Sequence, residues 1–130
     1  MASRKLTDLS LPMQLLAVKF VDRCHEAGLD IVIICTHRPA AEQQAAYDAG
    51  MSNCKPGQSA HNQVDLMLKP AAEAFDVGVI RNGKYVGRGD DSDYLAAGKI
   101  GEELGLLWAG RWKGKLKETA HFERNGWKHG

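Results

Sequence analysis

AFDVGVIRNGKYVGRG, residues 74–89, contains the strongest local structure signal in this chain of 130 residues. Two strand-like runs, Ala74–Ile80 and Lys84–Gly89, flank the tripeptide Arg81-Asn82-Gly83. Asn-Gly between two such runs is typical of the tight turn of a β-hairpin. Because a hairpin joins antiparallel strands, this stretch favours an α+β fold over a doubly wound parallel sheet.

Three helices and two further strands are predicted around this hairpin. The first helix begins after Ser10, a favourable N-cap residue, and ends at Gly28. Between them, apolar residues recur at helical spacing, at Met13, Leu16, Ala17, Phe20, Val21 and Cys24. The other helices are expected at 39–50 and 92–104, and the strands at 30–36 and close to the carboxyl-terminal end. We therefore predict a single α+β domain over residues 1–130, in which a small antiparallel sheet packs with about three helices.

The composition argues against several classes of protein. Lys and Arg total 17 against 16 Asp and Glu, so no excess of charge indicates a nucleic-acid partner. Three cysteines without a C-x-x-C pair argue against a disulfide framework and against a thiolate zinc site. No apolar run approaches the ~18 residues of a membrane span, and the first residues do not resemble a signal peptide. We expect a monomer that does not insert into membranes.

Two histidine motifs are candidates for chemistry. They are GQSAHN at residues 57–62 and ETAHFE at residues 118–123. Catalytic zinc takes imidazole nitrogens and carboxylate oxygens at three positions and leaves a fourth for water. His61 and His121 offer the imidazoles, and Asp65 and Asp76 are the nearby carboxylates. The spacing alone leaves open whether the histidines bind metal or are structural.

Two glutamates flank the second histidine. Glu118 stands three residues before His121, so in an extended strand the two would face opposite sides. Glu118 reaches the same site only when the chain turns or bulges through Thr119-Ala120. Glu123 shares a strand face with His121 and is the alternative acid.

Five stretches carry a family resemblance. They are THRPAAEQQAAYDAG, GQSAHN, PAAEAFDVGVIRNGKYV, LGLLWAGRWKG and KETAHFE. Together they resemble the zinc peptidases of the D-alanyl-D-alanine carboxypeptidase and L-alanyl-D-glutamate endopeptidase family, which includes several bacteriophage endolysins and shares its fold with hedgehog proteins. The shared motifs are Ser-x-His, a small residue two positions before Asp, and an acid three residues before a final His.

The resemblance implies a role for each matching residue. The zinc ligands are His61, Asp76 and His121, the general base is Glu118, and the substrate-binding residues are Arg38 and Ser59. The chain departs from the family's compact form, in which the aspartate follows the first histidine by seven residues, because Leu68 stands there. Asp76 lies fifteen residues after His61, which implies an insertion of about eight residues. Asp65, within that insertion, remains the alternative ligand.

The implied activity is zinc-dependent cleavage of peptidoglycan stem peptides, with an oxyanion stabilised by zinc and Arg38. The first expectation is an L-alanyl-D-glutamate endopeptidase that acts as a phage endolysin. The alternatives are a D-alanyl-D-alanine carboxypeptidase and an inactive, metal-containing domain that binds the cell wall. A sequence without a signal peptide agrees with a protein that stays in the host cytoplasm until a holin releases it to the wall.

Overall fold

The computed structural model describes residues 2–50, 59–114 and 117–127. Within them the helices are α1 (Leu11–Glu26), α2 (Ala40–Asp48) and α3 (Ser92–Glu103). The strands are β1 (Ile31–Cys35), β2 (Ala74–Arg81), β3 (Lys84–Val86), β4 (Leu106–Trp108) and β5 (His121–Arg124). Short 3-10 turns precede α1, contain His61 and follow β4.

The five strands form one antiparallel sheet in the order β1-β2-β5-β4, and β3 pairs with the far end of β2. The β2–β3 turn has Asn82 at φ 54° and Gly83 at φ 76°. Two successive residues with positive φ are what a tight hairpin requires. The predicted hairpin and the predicted α+β class are confirmed.

The core lies on one face of the sheet, against α1 and α3. Phe75 and Phe122 stand opposite each other on β2 and β5. Their rings lie 5.5 Å apart, and Phe20 of α1 packs on both at 5.3 and 4.7 Å. Side chains alternate along a strand, so the residues next to these phenylalanines, Asp76 and His121, lie on the opposite face.

The structure adds details that the sequence pattern did not predict. Residues Leu106–Trp108 form the short strand β4, where the pattern indicated a mixture of loop and strand without bounds. A bulge between Ile33 and Cys35 shifts the register of β1 against β2. The composition of residues 51–62, rich in Ser, Asn, Pro and Gly, predicts a loop, and most of this stretch falls outside the described residues. Across the described part of the chain, no helix combines the length and the apolar character needed to span a lipid bilayer.

Candidate metal centre

His61 is held in place by its backbone and by one ring nitrogen. Ser59 caps the 3-10 turn, its hydroxyl accepting a hydrogen bond from the His61 N–H at 3.2 Å. The His61 carbonyl accepts from the Arg38 N–H at 2.9 Å. The ring nitrogen Nδ1 lies 2.6 Å from the Thr36 carbonyl oxygen, so Nδ1 carries the hydrogen. In the neutral ring, Nε2 therefore presents a lone pair.

The structure brings His61, Asp76 and His121 together, although they are far apart in the chain. Asp76 Oδ1 lies 3.1 Å from His61 Nε2 and 2.7 Å from His121 Nδ1. The two ring nitrogens are 3.2 Å from each other. Both imidazoles are almost completely buried, at 2% and 5% exposure. Asp76 and His121 lie beside each other because they are paired on the antiparallel strands β2 and β5.

The second ring nitrogen of His121 faces a buried carboxylate. His121 Nε2 lies 2.8 Å from Glu123 Oε2, so Nε2 is the donor and Nδ1 presents the lone pair. The other oxygen of Glu123 accepts from the Trp127 indole N–H at 2.9 Å. Glu123, the alternative acid by sequence, thus lies behind the imidazole. Side chains two apart share a strand face, which is the sequence signal for this contact.

The three atoms lie at hydrogen-bonding distance from one another, so either protons on the imidazole rings or a bound cation must balance the carboxylate. Burial would lower the pKa of His121, but hydrogen bonds to Asp76 and Glu123 outweigh it and raise the pKa to about 9. Burial would also lower the pKa of His61, but the charge of Asp76, its hydrogen bond and the contact with Cys35 together outweigh burial and raise the pKa. Burial would raise the pKa of Asp76, yet the two imidazoles hold it well below its usual range. The geometry stabilises positive charge between these groups.

The donor set fits zinc. Tetrahedral zinc with bonds of about 2.0–2.1 Å to nitrogen and oxygen separates its ligand atoms by about 3.3 Å. The separations of 3.1 and 3.2 Å made by His61 Nε2 are close to this value, and only the 2.7 Å contact of Asp76 with His121 has to lengthen. Both imidazoles direct a lone pair at the site, while their outer nitrogens are held by acceptors, as metal-ligating histidines usually are.

A second grouping includes Cys35 in place of His121. Cys35, His61 and Asp76 each offer one ligand atom, and these atoms all lie within 4.8 Å of one another. The Cys35 sulfur, however, lies 3.8 Å from His61 Nδ1, the nitrogen that donates to Thr36. His61 cannot direct a lone pair toward both groupings at once. We therefore favour the set with His121, and sequence reasoning gave no role to Cys35.

Glu118 lies at the solvent side of the cluster. The His121 N–H donates to the Glu118 carbonyl at 3.3 Å, which closes the turn expected through Thr119-Ala120. Thr119 anchors this turn, because its hydroxyl donates to the Gly89 carbonyl and its own carbonyl accepts from the Trp108 indole N–H. Glu118 Oε2 is 3.8 Å from His121 Nδ1, and its side chain is 53% exposed.

The remaining site residues of the sequence prediction lie at different places. Asp65 is exposed. Its carboxylate accepts hydrogen bonds from the backbone N–H groups of Met67 and Lys69. The geometry therefore favours Asp76 over Asp65. Arg38 is half-buried, and its guanidinium donates to the side-chain oxygen of Gln43 at 2.9 Å. The ring of Trp112 lies 5.8 Å from that of His121.

Comparison with solved structures shows the fold. The Serratia marcescens L-Ala D-Glu endopeptidase ChiX matches with a TM-score of 0.66 and 21% identity, over 97% of this chain and 90% of that one. LdcB, an LD-carboxypeptidase, matches with a TM-score of 0.62 and 15% identity, over 85% of this chain. The match spans 56% of the LdcB chain. No protein-family model and no curated protein matches the sequence.

Proposed function

We propose that this protein is a zinc-dependent peptidase that cleaves peptidoglycan stem peptides, with L-alanyl-D-glutamate endopeptidase activity. The observation that carries the proposal is the convergence of His61 Nε2, Asp76 Oδ1 and His121 Nδ1 beside an exposed carboxylate. The fold shared with two peptidases supports the class of reaction, and the endopeptidase among them matches almost end to end.

Each residue has a distinct task in this proposal. His61, Asp76 and His121 would hold the zinc ion, which when bound supplies the Lewis acidity that activates water and polarises a carbonyl. Glu118 accepts a proton from the attacking water and returns it to the nitrogen of the leaving amine. Its exposure keeps the carboxylate accessible to solvent and substrate. Thr36 and Glu123 keep the two imidazoles oriented.

Ser59 lies on the turn that carries His61, and Arg38, which follows β1, is hydrogen-bonded to that turn. The Arg38 N–H donates a hydrogen bond to the His61 carbonyl, and the Asn62 side chain donates to the Arg38 carbonyl at 2.9 Å. We assign Arg38 to substrate binding and to stabilising the oxyanion, because a guanidinium donates several hydrogen bonds to carbonyl and carboxylate oxygens. Ser59 supports the turn that presents His61.

A carboxypeptidase is the second candidate, because LdcB has the same fold. The two activities leave different products. Purified sacculi treated with the protein should release fragments with new L-Ala carboxyl ends if it is an endopeptidase, and free D-Ala if it is a D-alanyl-D-alanine carboxypeptidase. Mass spectrometry separates these results. Binding to sacculi without any product would overturn both and indicate a cell-wall binding domain.

Glu118→Gln separates chemistry from metal binding. The amide keeps the size of the side chain but cannot accept the proton of water, and a general base contributes about 10²–10⁴-fold in rate. We expect the variant to retain about one zinc per chain while turnover falls by that factor. A fully active variant would reassign the base, and a variant without zinc would make Glu118 a ligand.

The proposal extends to a lytic role in phage infection, which rests on the family resemblance. The protein should clear suspensions of cells whose outer barrier has been permeabilised, and chelation should stop the clearing. Added zinc should restore it. Lysis at the same rate in the presence of excess chelator would contradict the zinc mechanism.

A further inference from the structure

The face of the sheet that carries the candidate metal centre continues beyond Asp76 along β2. Gly78 is two residues further on and lies on the same face. On β3, Tyr85 stands opposite Ile80, so it also lies on this face. Tyr85 is 59% exposed. An exposed aromatic ring therefore lies on the same face of the sheet as the candidate metal centre.

The ring of Tyr85 has a defined position over Gly78. A Cβ atom on Gly78 would lie 2.9 Å from Tyr85 Cε1 and 3.2 Å from Ile34 Cγ2, so glycine is what permits this contact. The side chain of Tyr94, on α3, joins the strand that carries Tyr85 to β2. Tyr94 Oη accepts from the Val79 N–H and donates to the Val86 carbonyl. The ring of Tyr85 therefore lies over Gly78 while more than half of the residue stays exposed.

We propose that Tyr85, with Ile34 beside it, forms a subsite for the peptidoglycan stem peptide. This inference rests on the proposed function, since it names where that substrate packs. Two residues along a strand span about 7 Å, which is also the reach of two residues of an extended peptide. A stem peptide with its scissile bond at the metal centre thus places a residue about two positions away over the ring. Aromatic rings bind peptide planes and alkyl side chains through their faces.

The test compares Tyr85→Ala and Tyr85→Phe with Leu95→Ala. Leu95 is a partly exposed apolar residue on α3, on the other side of the sheet, and serves as the matched control. Cleavage of a soluble stem peptide should show KM raised about tenfold for Tyr85→Ala with kcat retained, a loss of the size that one aromatic contact contributes. Tyr85→Phe keeps the ring and should resemble the unmodified protein. Zinc content and melting temperature should be unchanged in all three.

Direct binding separates this subsite from the proposed chemistry. In a Glu118→Gln background, calorimetry with the same peptide should show the same loss of affinity for Tyr85→Ala. Glycan strands stripped of peptide should bind equally to both proteins. If the unmodified protein cleaves nothing but the peptide still binds through Tyr85, the proposed function fails and the subsite stands. Cleavage with KM unchanged in Tyr85→Ala, or a loss confined to kcat, or a selective loss of glycan binding, would overturn the subsite.

Discussion

At the scale of single residues, the orientation of two imidazoles decides what the centre can bind. His61 donates through Nδ1 and His121 through Nε2, to a carbonyl and a carboxylate respectively. The opposite nitrogens of the two rings are therefore the ones that meet Asp76. A motif in the sequence names the histidines but does not state which nitrogen faces the site, because that depends on partners distant in the chain.

The choice between two aspartates is testable by substitution. Asp76→Ala should lose both zinc and activity, because its Oδ1 contacts both imidazoles. Asp65→Ala should keep most of each, since its carboxylate only accepts from backbone N–H groups within its own loop. Zinc per chain after gel filtration is the measurement. The reverse pattern would mean that the motif is aligned wrongly across residues 63–73.

In the proposed zinc site, Glu123 would act on the metal through His121. Glu123→Ala removes the acceptor of the His121 Nε2 hydrogen and should weaken zinc affinity by about 10–100-fold, the usual cost of losing such a partner. Glu123→Gln retains an acceptor oxygen and should lose less zinc affinity than Glu123→Ala. Competition with a chelating dye measures both affinities. Equal affinities for the alanine variant and the unmodified protein would remove Glu123 from this role.

At the scale of secondary structure elements, prediction succeeded where the signal was local. Asn-Gly located the hairpin, helical spacing located α1, and glycines located helix ends. The pairing of β5 between β2 and β4 was not predicted, because strand order depends on contacts between distant segments. The turn at Glu118 was deduced from the need to bring it beside His121. Glu123 was placed on the same strand face as His121 but interpreted as an alternative acid, because the sequence does not state which ring nitrogen of His121 it contacts.

The insertion between His61 and Asp76 forms a loop closed at its base. Val64 and Pro70 form an antiparallel bridge, and Leu68 has a positive φ of 61°. The loop begins and ends beside the centre, as its position between two candidate ligands requires. Its tip carries the exposed side chains of Leu66, Met67 and Leu68. Insertion here leaves both flanking residues in place because the sheet and the Ser59 turn position them separately.

The packing of α3 on β5 depends on a glycine. A Cβ on Gly101 would lie 2.5 Å from Phe122 Cε2, so Gly101→Ala forces the helix or the ring to move. We expect a loss of about 1–3 kcal/mol in unfolding free energy, as for other overpacked cores. Zinc affinity should fall as well, because Phe122 lies between His121 and Glu123.

Gly87→Ala is the control for this prediction. A Cβ atom on Gly87 would lie 3.7 Å from Tyr85 Cε2, which is an ordinary van der Waals distance. Urea denaturation monitored by tryptophan fluorescence compares the two variants. If Gly101→Ala is as stable as Gly87→Ala, the close packing of α3 against β5 is not a constraint.

At the scale of the whole molecule, the centre links stability to pH. His121 has a pKa of about 9, against about 6.5 for an unfolded chain. Between these values the folded protein holds more protons, so unfolding free energy decreases as pH rises. Protein stripped of metal should therefore melt at progressively lower temperature from about pH 6.5 to 9. Below about pH 6.5 the contribution of His121 to the unfolding free energy is fully present.

A matched pair of variants isolates this effect. His121→Gln should lose the share of the pH dependence that His121 contributes and so flatten the profile of melting temperature, because only His61 then keeps a raised pKa. His25→Gln, at an exposed position on α1, should keep the full dependence. Zinc binding requires neutral imidazoles, so the affinity for zinc should change in the opposite direction and rise with pH. Parallel pH profiles for the two variants would contradict the assignment to His121.

The strand order β1-β2-β5-β4 determines how late in synthesis the sheet can be completed, because the last strand of the chain lies between two earlier ones. Domains generally fold as units while the ribosome extends the chain from its amino end. A nascent chain that ends at Lys117 already contains His61 and Asp76, but neither Glu118 nor His121. The gap between β2 and β4 is filled only when β5 emerges from the exit tunnel. Under the proposed function, a chain that ends before β5 lacks both the third ligand and the base, so we expect it to show no hydrolase activity.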